Sequence, residues 1–437
     1  MRDLAVWASG LTLAQVPPTV RAAARRHLLD GLGCLIAGVR RDAAPAAQEV
    51  ASGLGGPPEA TLLGCDTRVG APAAAFGNAV AMHALDFDDT HAGGLVHATT
   101  VTAPVALAVA QQLGSTGSEL LAAYVAGLET VCRLGAATPH GFHARGVHAT
   151  SACGTIAAAV VAGRLMGLPA EVMADAIGIA ASGSSGLLEF LATGSSTKQL
   201  HPGFAACNGI LAARLAAAGA TGPGSAIEGS RGLYAAFTGR RPDLSVLVGA
   251  LGERWEAARI TIKPYPACQL GHASIDAALS LRGGVDVERI TGIELRLHPD
   301  ALAIVGDRAP GTAYAAKFSA AWCVAAVLVD GALPVEVFDQ PLRADLQRLA
   351  GITSLTARPS SGPAADAPGW LRVTLDDGTS LVGEVPRSGG GPDDPGLDAL
   401  VLSKARGTIG PRAEVVRAAV DGLAEASDVE ELVRSLA

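Results

Sequence analysis

The sequence predicts a mainly α protein with one large helical domain and a smaller α+β domain. Three observations carry that prediction. Up to about residue 250 the apolar segments are long, rich in Ala and Gly, and show no sustained strand alternation. Near Arg259 the pattern changes to short alternating runs. After a Gly/Pro-rich stretch at 386–396, the tail reads as helix again.

Taken in order, Pro17 and Pro18 open a helix over 17–39, with Leu28, Leu29, Leu32 and Leu35 on its apolar face. Further helices are predicted over 71–87, 99–113, 117–134, 151–166, 170–183 and 203–218. Turn signals such as Gly-Leu-Pro-Ala at 167–170 and Thr-Gly-Pro-Gly at 221–224 separate them. The run 260–265, Ile-Thr-Ile-Lys-Pro-Tyr, is predicted as a strand, 273–281 as a helix and 290–297 as a strand. Residues 370–385 read as a hairpin turning at Asp376-Asp377-Gly378. Helices are expected near 316–330 and 341–350, and in the tail at 397–406, 412–423 and from Val429 onward. The tail is expected to pack back on the first domain. The predicted boundaries are therefore 1–258 with 396–437 for the all-α domain, and 259–395 for the α+β domain.

Composition narrows the function. The 437 residues are 49% hydrophobic but only 4% aromatic, and the net charge is −8. A chain of that sign lacks the basic face a phosphate backbone requires, so no nucleic-acid partner is expected. Apolar stretches are interrupted before reaching the roughly 18–20 residues of a membrane span, and no signal peptide is read at the N-terminus, so a membrane location is not expected. The seven cysteines are odd in number and contain no C-x-x-C pair. Reduced thiols in a cytoplasmic protein are the expectation, without disulfides or a zinc ribbon.

All but His27 and His298 of the ten histidines fall between His83 and His272. Four polar constellations hold most of them. The first is His83-Ala-Leu-Asp86-Phe-Asp88-Asp89-Thr90-His91 with His97 beyond it. On a helix, His83, Asp86 and Thr90 share a face. They form either a histidine–carboxylate acid/base pair or a capping cluster that anchors the loop 91–97. In the second, His143 and His148 precede a helix start, whose positive dipole favours an anionic ligand; His148 is the better placed. In the third, Thr197-Lys198-Gln-Leu-His201-Pro202-Gly203, Lys198 is expected just before a helix that opens near Pro202, forming a carboxylate-binding corner. The fourth, Lys263-Pro-Tyr-Pro-Ala-Cys268-Gln-Leu-Gly-His272, marks the passage into the second domain. No H-E-x-x-H, Walker, G-x-G-x-x-G or G-x-S-x-G motif is present. No metal ion is predicted at the site.

In this order the four segments resemble the MmgE/PrpD family, together with Leu28–Gly38, Ala220-Thr-Gly-Pro223 and Glu228-Gly229. The resemblance runs nearly end to end. It implies that the smaller domain is a lid, that the protein is a homodimer, and that it works without a cofactor on small di- or tricarboxylates. It carries catalytic roles over to Asp86, His97, His148, Lys198 and His272, and substrate contact to Thr90. His201, Lys263 and Trp322 are read as further substrate-binding positions. At Trp322 the chain departs from the family's decarboxylases, which have a tyrosine there; an indole cannot supply a phenolic proton. The expected reaction is therefore that of a hydro-lyase (dehydratase) on a 2-methylcitrate-like hydroxy acid. An epimerase of an iminodisuccinate-like dicarboxylate, a cis-aconitate-type decarboxylase and a silent carboxylate-binding protein are the alternatives.

Overall fold

The computed structural model describes residues 1–65 and 67–436; Asp66 and Ala437 lie outside the described residues. The fold is mainly α with a smaller α+β part, as the sequence predicts. It divides into two compact units: Met1–Leu188, Thr197–Ile262 and Pro395–Ala437 in the first, and Glu189–Ser196 and Lys263–Asp394 in the second. No helix among the described residues is long and apolar enough to cross a membrane.

The first unit is built around helices that are apolar on nearly every side and buried accordingly. Ala71–His83, Thr99–Leu113, Gly117–Ala136, Ala149–Leu165 and Thr197–Ala217 form its centre, with Pro18–Gly38 packed against Ala71–His83. Small residues set the spacing. A Cβ on Gly38 would lie 2.1 Å from the Ala81 carbonyl oxygen, and one on Gly209 would lie 2.2 Å from the Ala158 Cβ. Only glycine lets these backbones approach so closely. Thr116 and Glu119 close a capping box at the start of Gly117–Ala136: the Glu119 N–H donates to Thr116 Oγ1 at 3.2 Å, and the Thr116 N–H donates to Glu119 Oε2 at 2.8 Å.

Three local predictions change in the first unit. The helix expected over 71–87 ends at His83, and the helix expected from 203 begins at Thr197. Pro202 is thus inside the helix and removes one backbone donor there, a loss outweighed by packing against Ala71–His83 and Ala149–Leu165. The expected strand at 260–265 shortens to Ile260–Thr261 and pairs with Thr90–His91 in the first unit. Pro264 and Pro266 supply no N–H to extend it. Short strands the pattern did not reveal, Ala60–Leu62 and Thr67–Val69, form a small hairpin.

The second unit holds a sheet with strand order Thr353–Ala357, Ile290–Leu297, Gly369–Leu375, Ser380–Val385. The first pair is parallel and the others antiparallel, with Leu295 opposite both Leu355 and Leu371. Helix His272–Leu281 packs on the hairpin. The helix expected near 316–330 splits at Ser319, whose hydroxyl caps Ala320–Asp330 by accepting from the Trp322 N–H at 3.1 Å.

Two buried charge pairs fasten remote segments of the first unit. Arg133 pairs with Glu129 at 2.5 Å and donates to the carbonyls of Val246, Gly249 and Arg254, while Glu129 accepts from the Ala257 N–H at 2.8 Å. Lys404, from the tail helix Leu397–Ile409, reaches Asp30 at 2.7 Å and the Phe87 carbonyl at 2.5 Å. Burial pushes the Asp30 carboxyl up, and Lys404 opposes that shift. Removing one partner of a buried pair strands the other. The Lys404→Met variant should therefore lose about 3–5 kcal/mol of stability in urea unfolding. Adding Asp30→Asn should recover most of it; equal stability of Lys404→Met and the parent would contradict this role.

Candidate active site

The segment after His83 leaves the helix because its carboxylates have other partners. Asp86 takes a left-handed backbone conformation, φ 50°, which acidic and amide side chains tolerate better than most. Its N–H still donates to the His83 carbonyl at 3.1 Å. The shared helical face expected for His83, Asp86 and Thr90 is thus replaced by a turn that folds the same residues back together.

Asp89 anchors this turn. Its Oδ1 accepts from the N–H groups of Ala98 and Thr99, both at 3.1 Å, and its Oδ2 accepts from the Thr99 hydroxyl at 2.5 Å. It therefore caps helix Thr99–Leu113 from a distance, satisfying donors that a helix start leaves open. His27 Nδ1 lies 2.9 Å from the same carboxylate. Burial works against the Asp89 charge, but the bonds from His27 and Thr99 outweigh it and hold the carboxyl below its usual range. His91 is also structural. Its N–H donates to Val96, its Nδ1 accepts from Gly94 at 3.1 Å, and its Nε2 meets Glu256 at 3.1 Å.

The remaining polar groups converge. Asp86 Oδ1 and Lys198 Nζ are 2.9 Å apart, with Asp86 1% and Lys198 4% exposed. Lys198 sits in the first turn of Thr197–Ala217 rather than ahead of it. His97 lies between two acids, with Nε2 3.9 Å from Asp86 and Nδ1 3.4 Å from Asp88. Its Nδ1 is also 2.9 Å from the Asp89 carbonyl, which can only accept, so the proton is on Nδ1 and Nε2 is the basic atom of the neutral ring. Thr90 Oγ1 stands 3.4 Å from the same Nδ1, and the His97 N–H donates to Thr150 Oγ1. His83 Nδ1 is 2.9 Å from both Asp88 oxygens.

His148 Nδ1 and His201 Nδ1 are 3.0 Å apart, so one ring donates and the other accepts. Ring centres of His83 and His97 are 4.7 Å apart, and those of His97 and His148 6.0 Å. Burial lowers the pKa of His148 well below the ordinary value, with His201 and Lys198 adding to the effect. Burial likewise lowers His201 to about 4. His83 is lowered by burial against the pull of Asp88.

Six of the expected site residues, Asp86, Thr90, His97, His148, Lys198 and His201, thus meet within the first unit. Lys263, His272 and Trp322 belong to the second. There His272 is fully buried, donates through Nε2 to the Ala267 carbonyl at 3.0 Å, and has the Tyr265 ring 5.2 Å away. Lys263 is also buried. Trp322 is 2% exposed and packs on Phe338, with ring centres 5.5 Å apart. Asp88 was legible in the motif but not singled out as a site residue. The supporting roles of His27, Asp30 and Lys404 left no sequence signal, because they lie in apolar helices far along the chain.

The MmgE/PrpD N-terminal domain matches residues 2–244, and the MmgE/PrpD C-terminal domain matches residues 265–428. The chain belongs to the MmgE/PrpD family. Its relatives include the cis-aconitate decarboxylase of Aspergillus terreus, 26% identical over 99% of this chain and 95% of the relative. The cis-aconitate decarboxylase-like protein oryM of Aspergillus oryzae is 30% identical over 77% of this chain and 75% of its own length. The human cis-aconitate decarboxylase is 28% identical over 85% of this chain and 80% of its own length. Like its family, this MmgE/PrpD chain is an enzyme of the lyase type.

The buried histidines tie stability to pH. His201 is held neutral down to about 4, whereas in the unfolded chain it takes up a proton near 6.5. Between those values the unfolded state binds more protons, so stability is complete above about 6.5 and is lost as pH falls toward 4. The lowered pKa values of His148 and His83 act in the same direction. Melting temperature measured from pH 7 to pH 4 should fall, and His201→Asn should flatten part of that slope. A slope unchanged in His201→Asn would count against the assignment.

Proposed function

We propose that this enzyme is a cofactor-independent lyase for a small tricarboxylate, and that it releases carbon dioxide from a cis-aconitate-type substrate. The observation that carries the reading is the buried Asp86–Lys198 pair with His97 and His148 beside it. The nature of the relatives favours decarboxylation over the dehydration expected from sequence.

The chemistry makes two demands. Loss of carbon dioxide leaves an electron pair on carbon, and that pair must be stabilised and then protonated. Lys198 is the fixed cation in this corner, and a substrate carboxylate that displaces or shares Asp86 meets an ammonium in a water-poor setting, where its attraction is strongest. His97 is assigned the proton donor. An imidazolium there faces Asp86 and Asp88, and Thr90 and the Asp89 carbonyl hold its ring in place. His148, kept neutral and oriented by His201, is assigned to relay a solvent proton back to His97 after the carbon has taken one. His272 and Lys263 are proposed to complete substrate binding.

One observation favours a second reading. By the family resemblance, Trp322 stands where decarboxylases carry a tyrosine, and an indole N–H is a donor without useful acidity. The purified protein should therefore be offered cis-aconitate, citrate and 2-methylcitrate with mass detection of products. Carbon dioxide with one solvent-derived deuterium per product supports decarboxylation, and loss of water without carbon dioxide replaces it with dehydration.

Lys198→Met combined with Asp86→Asn, which keeps the corner neutral, should cut turnover at least about 100-fold. Its melting temperature should stay near that of the parent. Full turnover in that variant would remove the carboxylate-clamp role.

A further inference from the structure

The geometry points to a site for a divalent transition-metal ion, Zn²⁺ above all, held by Nε2 of His83, His97 and His148 in the first unit; we propose that its occupation shuts the enzyme down. The binding stands on geometry alone; the inhibition rests on the functional reading above. No metal motif was legible in the sequence, because the three ligands come from the end of one helix, a turn and the start of another helix.

The first argument is the state of each ring. His83 Nδ1 is engaged by the Asp88 carboxylate at 2.9 Å, His97 Nδ1 by the Asp89 carbonyl at 2.9 Å, and His148 Nδ1 by His201 at 3.0 Å. In each case the other ring nitrogen is Nε2; that of His97 lies 3.9 Å from Asp86. A metal-ligating histidine has this arrangement: its far N–H is given to a carboxylate, a carbonyl or another acceptor, which fixes tautomer and orientation.

The second argument is convergence. One ring nitrogen from each of the three lies within 4.8 Å of the others. Zinc bonds of about 2.0–2.1 Å ask for nitrogen separations of roughly 3.4 Å, so the rings need to close by only about an ångström or so. The third is an orphan: His83 Nε2 is fully buried and has no hydrogen-bond partner among the described residues. Leaving such a nitrogen unmatched is costly unless something meets it.

Charge and chemistry agree. Two carboxylates, Asp86 and Asp88, lie beside His97, and the Lys198 ammonium is paired with Asp86. The ligand set is imidazole with carboxylate nearby and contains no cysteine, which suits Zn²⁺ or Co²⁺ and disfavours thiolate-seeking Cu⁺. An ion bound there would occupy the basic nitrogens of His97 and His148, the atoms the proposed reaction needs for moving protons.

The test uses the full-length protein, stripped with chelator and titrated with Co²⁺ and then Zn²⁺, followed by calorimetry and visible absorption. The expected result is one ion per chain with nitrogen/oxygen-type Co²⁺ bands. Binding should be abolished in His83→Gln and weakened about 10–100-fold in Asp88→Asn, which removes only the outer support. Melting curves without metal confirm that both variants fold. No uptake by the parent, a cobalt–thiolate charge-transfer band, or equal affinity in parent and both variants would overturn the site. If Zn²⁺ binds at one per chain while turnover on an accepted substrate continues unchanged, the inhibitory half falls. Cobalt spectra need no substrate, so they remain decisive even if the proposed reaction is wrong.

Discussion

Four carboxylates, Asp30, Asp86, Asp88 and Asp89, are buried in one helical core, and the architecture around them follows from the need to match each one. An unmatched buried carboxylate costs several kcal/mol or changes its protonation state. Here every match comes from elsewhere: Lys198 for Asp86, His83 for Asp88, His27 with the start of a helix for Asp89, and Lys404 for Asp30. The turn at 84–91 is shaped by these demands more than by its own backbone preferences. That is why Asp86 accepts a left-handed conformation there.

Matching the acids also organises the histidines. Because His97 donates to a carbonyl and His83 to a carboxylate, their tautomers are set before any substrate arrives. The His148–His201 contact constrains a third ring in the same way. A second circle of bonds keeps the turn in place: His91 with Glu256, and Glu129 and Arg133 with the segment 246–257. Sites built this way lose little entropy when they bind, since the groups that meet the ligand are already oriented.

The apolar surroundings make the arrangement affordable in space. Alanine and glycine let the helices of the first unit close to within a side chain of one another, and the polar residues then sit where water is scarce. The same low dielectric that makes an isolated charge expensive strengthens the attraction between Lys198 and a carboxylate. In the second unit the aromatic residues are used as packing: Trp322 against Phe338, with the Lys317 ammonium over the Phe338 ring.

Much of this was legible in one dimension. The mainly α class, most helix spans, the 290–297 strand and the 370–385 hairpin follow from periodicity and turn chemistry, which are local properties. The residue types of the site were legible too, since histidine, aspartate and lysine stand out in Ala-rich helices. The details that decide function were not. Sequence spacing placed Lys198 before its helix and Asp86 within one; packing and charge matching reversed both. Nothing near Lys404 or His27 announces that they lie beneath the turn. By itself the chain determined which groups are available and which segments are helical. Only the tertiary structure decided which acid faces which cation, because that choice depends on the cost of burying a charge, and burial is a property of the whole fold.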